Sequence, residues 1–147
     1  MTRLSTKNSG VDNQSDNDKE EMLAITTKYC LKNFVNQRQL SRQVENVHLQ
    51  EVFRHSSALY LRIYGLLSQE LNNGKRTTSY VDLPDISKPQ LSRGNVSILD
   101  QIVGLDAYAL DLLRMVIMRV TDKAIRFHLS SKIASLQILH DRMKELQ

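Results

Sequence analysis

The sequence predicts an all-α protein, an antiparallel four-helix bundle of two helical hairpins joined by a long crossover. Three observations lead there. Apolar residues recur every three or four positions over long stretches, which lines them up on one face of a helix. The chain has only 2 prolines and 5 glycines among its 147 residues, so little interrupts those stretches. Breakers do gather in one place, the stretch 74–95, which divides the periodic segments into two pairs.

Size and composition set the bounds. A chain of 147 residues is one domain in length and can bury a real core. Hydrophobic residues at 41% and charged residues at 24% are those of an ordinary soluble domain. Cys30 is the only cysteine, which excludes an intramolecular disulfide and a thiolate-rich zinc site. Met1–Ser5 lacks the apolar core of a secretory signal, and no run of about 18 apolar residues exists to span a bilayer. The expectation is a cytoplasmic protein with no membrane segment. A net charge of +4 and a pI near 9.3 permit weak attraction to nucleic acid, but no basic run concentrates it.

Residues 1–20 are rich in Ser, Thr, Asn, Asp and Lys, with only Leu4 and Val11 to bury, and read as a disordered N-terminal tail. The bundle domain is expected over 21–147. Its first helix runs from Glu21 to about Val44, free of Pro and Gly and rich in helix formers. Its amphipathicity is poor. Ile25, Tyr29, Asn36 and Leu40 define one stripe, while Cys30 and Phe34 point elsewhere. Asn46 offers an N-cap for a separate second helix, and a continuous long helix is the alternative.

The second helix, Val47 to Leu71, is better patterned. Leu49, Val52, Ser56, Leu59, Tyr60, Ile63, Leu67 and Leu71 form one stripe, with Phe53 and Tyr64 on its shoulder. Aromatic residues at this spacing read as core rather than as a platform for bases. His48 and His55 sit a heptad apart at the edge and read as solvated. Asn72-Asn73-Gly74 is the expected stop, in left-handed backbone.

The crossover, residues 74–95, contains Pro84, Pro89 and Gly94 and no helical period. Ser79–Leu83 within it is expected to be extended or packed loosely over the bundle. At about 3.3 Å per residue the crossover reaches roughly 65 Å, against ~37 Å for a helix of about 25 residues. It can therefore return along the bundle and start the third helix parallel to the second.

The third helix runs from near Val96 to about Arg119. Its stripe is Ile98, Ile102, Leu105, Ala109, Leu113, Val116 and Val120, widened by Leu99, Val103, Leu110 and Ile117. Asp106 is the one acid inside this arc. Thr121 is expected to N-cap the last helix, with Asp122 favourably placed at its positive end. The connection is so short that the two helices form a hairpin. Ile125, Leu129, Ile133, Leu136, Leu139 and Met143 make the last stripe, and His140 lies within it with Gln137 at its edge.

The step Gly104-Leu105-Asp106, the short turn and a last helix reading Leu136-Gln137-Ile138-Leu139-His140-Asp141-Arg142-Met143-Lys144 resemble a bacterial ferritin-like domain family of uncharacterised function. The likeness is best over Ile98–Leu146 and follows the helix order over Leu23–Leu71. It implies two helical hairpins and a long crossover. Ferritin-like proteins that bind two metals place a Glu on each of two helices and a Glu-x-x-His pair on each of the others. Here that pair reads Gln137-x-x-His140, the first helix offers Phe34, and the second offers His55 or Ser56. Asp106 and His140 remain as metal ligands the resemblance implies, against four carboxylates and two histidines in a full set. The other reading of the same two residues is a buried structural pair, a carboxylate–imidazole hydrogen bond between facing helices, and the sequence favours it.

Function follows from what is missing. Ser130 and Ser131 beside His128 are helix neighbours on the solvent side, with no third group to orient a base. No glycine-rich phosphate loop occurs. The expectation is a non-enzymatic bundle without a cofactor, acting through protein contacts and possible as a homodimer. Its alternatives are an iron-handling ferritin-like protein and a nucleic-acid-binding module using Arg38, Arg42, Arg54 and Arg62.

Overall fold

A computed structural model describes the backbone of residues 2–74 and 97–147, and the side chains of residues 18–72 and 97–147. The crossover expectations for Pro84, Pro89, Gly94 and Ser79–Leu83 lie outside these residues. The protein is all-helical, with no strand among the described residues: α1 (Thr2–Gln43), α2 (Val47–Gly74), α3 (Ile98–Ile117) and α4 (Lys123–Glu145). No described helix is long and apolar enough to cross a membrane.

The ends follow local chemistry, with corrections. α1 and α2 are separate helices, because the Asn46 side chain accepts from the N–H groups of His48 and Leu49 and caps α2. α1 begins at Thr2 rather than near Glu21, taking in stretch 2–20, which contains no proline to stop the hydrogen-bond ladder. α2 continues through Asn72-Asn73-Gly74, and no described residue adopts positive φ, so the expected left-handed stop is not formed there. Ser97 caps α3 through the Asp100 N–H. The cap of α4 is Asp122, which accepts from Ala124 N and Ile125 N; Thr121 is engaged elsewhere.

Helix α1 packs on α2 and α3, and α4 packs on α2 and α3, while among the described residues α1–α4 and α2–α3 make no close backbone approach. Two apolar layers fill the interior. One takes Leu23 and Cys30 from α1, Tyr60, Ile63 and Leu67 from α2, Ala109 to Val116 from α3, and Ile125, Leu129 and Leu136 from α4. The other takes Leu40, Val52, Phe53, Ile102 and Met143. Burying each large side chain of this kind contributes about 1.5–3 kcal/mol.

The orientation of α1 corrects the sequence reading. Of the expected stripe, Asn36 and Leu40 are buried, whereas Ile25 is exposed and Tyr29 half-buried against Tyr108; Leu23, Thr27, Cys30, Asn33 and Gln37 also point inward. On this face Thr27 donates to Leu23 O of its own helix, and Gln37 Nε2 donates across the bundle to Asp106.

Candidate functional site

Between the two apolar layers lies a polar one. Asn33 and Gln37 on α1, Ser56 and Tyr60 on α2, Asp106 on α3 and His140 on α4 each fall within about one or two helical turns of apolar core on either side. Helix periodicity brings them inward. Asp106 occupies the line Ile102, Asp106, Ala109, Leu113, and His140 the line Leu136, His140, Met143.

Asp106 is fully buried and is the acceptor at the centre. Its Oδ1 accepts from Gln37 Nε2 at 2.7 Å and from the Tyr60 hydroxyl at 2.6 Å. These donors come from α1 and α2, so a single carboxylate oxygen ties three helices together. Asn33 Nδ2 adds a longer contact to Leu105 O at 3.5 Å. His140 Nδ1 stands 3.8 Å from Asp106 Oδ2, beyond hydrogen-bond length. The carboxylate and imidazole are thus neighbours, as expected, but not directly bonded: the carboxylate is drawn towards the donors of α1 and α2. Among the described residues Asp106 Oδ2, His140 Nδ1, Gln37 Oε1 and Ser56 Oγ have no protein hydrogen-bond partner. Buried polar atoms of this kind are usually satisfied by internal solvent.

Burial pushes the Tyr60 hydroxyl well above the ordinary phenol range, and the Asp106 charge and hydrogen bond push it the same way. Tyr60 therefore stays a donor at any physiological pH. Burial likewise raises the Cys30 thiol, leaving it an inert core residue rather than a nucleophile.

The other sequence candidates lie elsewhere. Gln137 accepts from Arg114 and donates to Asp141, outside the core. His48 and His55 are exposed on α2, and Phe34 is half-buried with the Arg38 guanidinium 5.6 Å from its ring centre. Only Ser56, of the residues offered for α1 and α2, reaches the central layer. The expected α1 stripe shares Asn36 and Leu40 with the buried face but does not include Gln37 and Asn33, and Tyr60 reads as apolar core in the sequence. Reading α1 at the spacing Leu23, Thr27, Cys30, Gln37, Leu40 without requiring apolar residues would have found Gln37.

This donor set does not fit two bridged metal ions. It has one carboxylate, one imidazole and neutral amide and hydroxyl groups, and one oxygen of the carboxylate already accepts two hydrogen bonds. Among the described residues no three His, Cys, Asp or Glu side chains are close enough to share an ion. Glu70, the other buried acid, accepts from Thr121 N and Thr121 Oγ1 at 2.8 and 2.9 Å, away from Asp106. Comparison with known proteins gives no relative: no family model, curated protein or solved structure matches the chain.

Proposed function

We propose that this chain is an antiparallel, ferritin-like bundle that works through protein contacts, its own copies included, rather than through a metal centre. The central layer is the observation that carries this reading. Asp106 is bound by Gln37 and Tyr60, neutral donors that organise a core and do not complete a redox metal site. The antiparallel arrangement is supported by the composition of the two apolar layers. The middle of α1, late α2, late α3 and the first two-thirds of α4 meet in one, and the late end of α1, early α2, early α3 and late α4 meet in the other. The ferritin-like likeness stays with the residues quoted for it. Large apolar side chains stand in solvent at Met118, Phe127, Val47 and Ile138, each more than half exposed, and offer area for a partner. A single buried thiol suits a reducing cytoplasm.

Elemental analysis of the purified protein, before and after anaerobic incubation with ferrous iron, tests the first half. No stoichiometric metal is expected. Near-stoichiometric iron, lost in Asp106→Ala and His140→Ala, would overturn the reading and restore the iron-handling alternative. Sedimentation across a wide concentration range tests the second half, with a rising average mass as the expected result.

A further inference from the structure

Of Arg38, Arg42, Arg54 and Arg62, three converge on one groove. Arg38 and Arg42 reach it from α1 and Arg54 from α2, on the outside of the α1–α2 hairpin, around a volume of about 680 Å³. Glu51 is the only acid lining it, so three guanidiniums face one carboxylate. Among the described residues no carboxylate is paired with any of the three arginines. The hydroxyls of Ser41 and Ser57 donate to the carbonyls of Arg38 and Arg54, and Gln50 Nε2 donates to Val44 O, so the hairpin itself holds the groove's shape.

The groove also has apolar content. Val47 is 65% exposed and Leu61 46% exposed, with Ala58 between them and Phe34 half-buried opposite. From Val47 to Leu61 the groove follows α2 for about 21 Å, some four helical turns. One groove between α2 and α4 mixes His48, His55 and Arg142 with Glu51 and Glu145 and has no dominant sign, and a second there is lined by two arginines, Arg62 and Arg142, against three in the α1–α2 groove.

We infer that the α1–α2 groove docks an acidic amphipathic helix from a partner protein. Its apolar stripe would lie along Val47, Ala58 and Leu61, and its carboxylates would face Arg38, Arg42 and Arg54. This inference rests on the proposed protein-contact function and gives that function a partner chemistry. Helix-in-groove recognition uses this combination of apolar anchors spaced by helical turns and charges at the rim. A nucleic acid would use the arginines but not Val47 or Leu61. Phe34, the groove's one aromatic residue, is already overlaid by Arg38 and offers no open ring for a base.

The test is fluorescence anisotropy with the full chain and a labelled Leu/Glu peptide of about four turns, with Leu at i, i+3, i+4 and i+7. A scrambled peptide of the same composition and a labelled single-stranded oligonucleotide are the comparisons. Saturable binding of the amphipathic peptide is expected. Arg42→Glu with Arg54→Glu should weaken it about tenfold or more, as should scrambling, and added salt should weaken it progressively. Both arginines are exposed, so an unchanged thermal midpoint shows that the double variant still folds. Absence of binding, equal binding of the scrambled peptide, or a tighter complex with the oligonucleotide would overturn the inference. Sedimentation of the same samples separates the two levels of reading. Self-association that is identical in the double variant, without peptide binding, removes the groove and leaves the protein-contact function. A strict monomer that ignores the peptide removes both.

Discussion

Asp106 and Glu70 are both buried carboxylates, and the bundle accommodates them by different means. Glu70, 4% exposed, lies against the α3–α4 connection. Its Oε1 takes the N–H and hydroxyl of one residue, Thr121, and Lys19 Nζ stands 3.9 Å away. Asp106 has no exposure, no lysine or arginine beside it, and donors from two different helices. Near the end of the bundle a flexible cation can approach a buried acid. In the middle only side chains from facing helices can, and each must arrive at the right height. Glu70 therefore clamps one connection to one helix, whereas Asp106 joins α1, α2 and α3 by hydrogen bonds, with His140 of α4 as an unbonded neighbour.

The largest effect that would break this contrast is expected at the centre. Asp106→Ala leaves Gln37 and Tyr60 buried without their acceptor and His140 without its neighbouring carboxylate, and urea unfolding should show a loss of about 3–5 kcal/mol. Asp106→Asn keeps an acceptor oxygen in place and should cost clearly less. Equal losses would mean that the charge, not the two hydrogen bonds, holds the layer.

Tyr60→Phe comes next, at about 1.5–3 kcal/mol, because it removes a hydrogen bond to an ionised group. It also carries a pH signature. The Tyr60 hydroxyl is raised in the folded protein, so above an unfolded value of about 10 the unfolded chain loses its proton first. Stability from this group is complete below that pH. As pH rises towards the folded value it should fall by about 1.4 kcal/mol per unit. The comparison of wild type with Tyr60→Phe in alkaline denaturation isolates that slope. Cys30, raised in the same sense by burial, adds a second alkaline loss that Cys30→Ala removes.

Glu70→Ala should cost about 1–3 kcal/mol, since the Thr121 donors become partly exposed instead of stranded in the core. A double-mutant cycle with Thr121→Val sharpens the contrast: strong coupling is expected within this pair, and none between Glu70 and Tyr60. The smallest effect is the cap. Asp122→Ala should cost about 1 kcal/mol and lower helicity at the start of α4 without touching either carboxylate.

The expected α2 and α4 stripes, and the central line of α3, lie on buried or half-buried faces, because enough of their inward residues are apolar for a 3.6-residue period to show. Asp106 and His140 were legible for the same reason: each interrupts an otherwise apolar line. α1 was not. Thr27, Asn33, Asn36 and Gln37 are all buried there while Ile25 is exposed, so apolar spacing leaves the inward face of this helix only partly defined. The displaced cap has a similar origin. Thr121 and Asp122 are both good capping residues, and the choice between them was made by Glu70, a residue of another helix that takes up the Thr121 donors.

By itself, then, the chain determined that it would form helices and roughly where α2, α3 and α4 begin. Those properties rest on local propensity, capping and the spacing of apolar side chains, all of which lie within a few residues of one another. It also placed one acid and one imidazole on inward faces. Only the tertiary structure decided what those two groups would meet. A buried amide such as Gln37 is tolerable because Asp106 faces it from 69 residues away, and three arginines become one charged groove because two helices turn back on each other. Partners of that kind are set by packing, and packing is not written in the neighbourhood of any single residue.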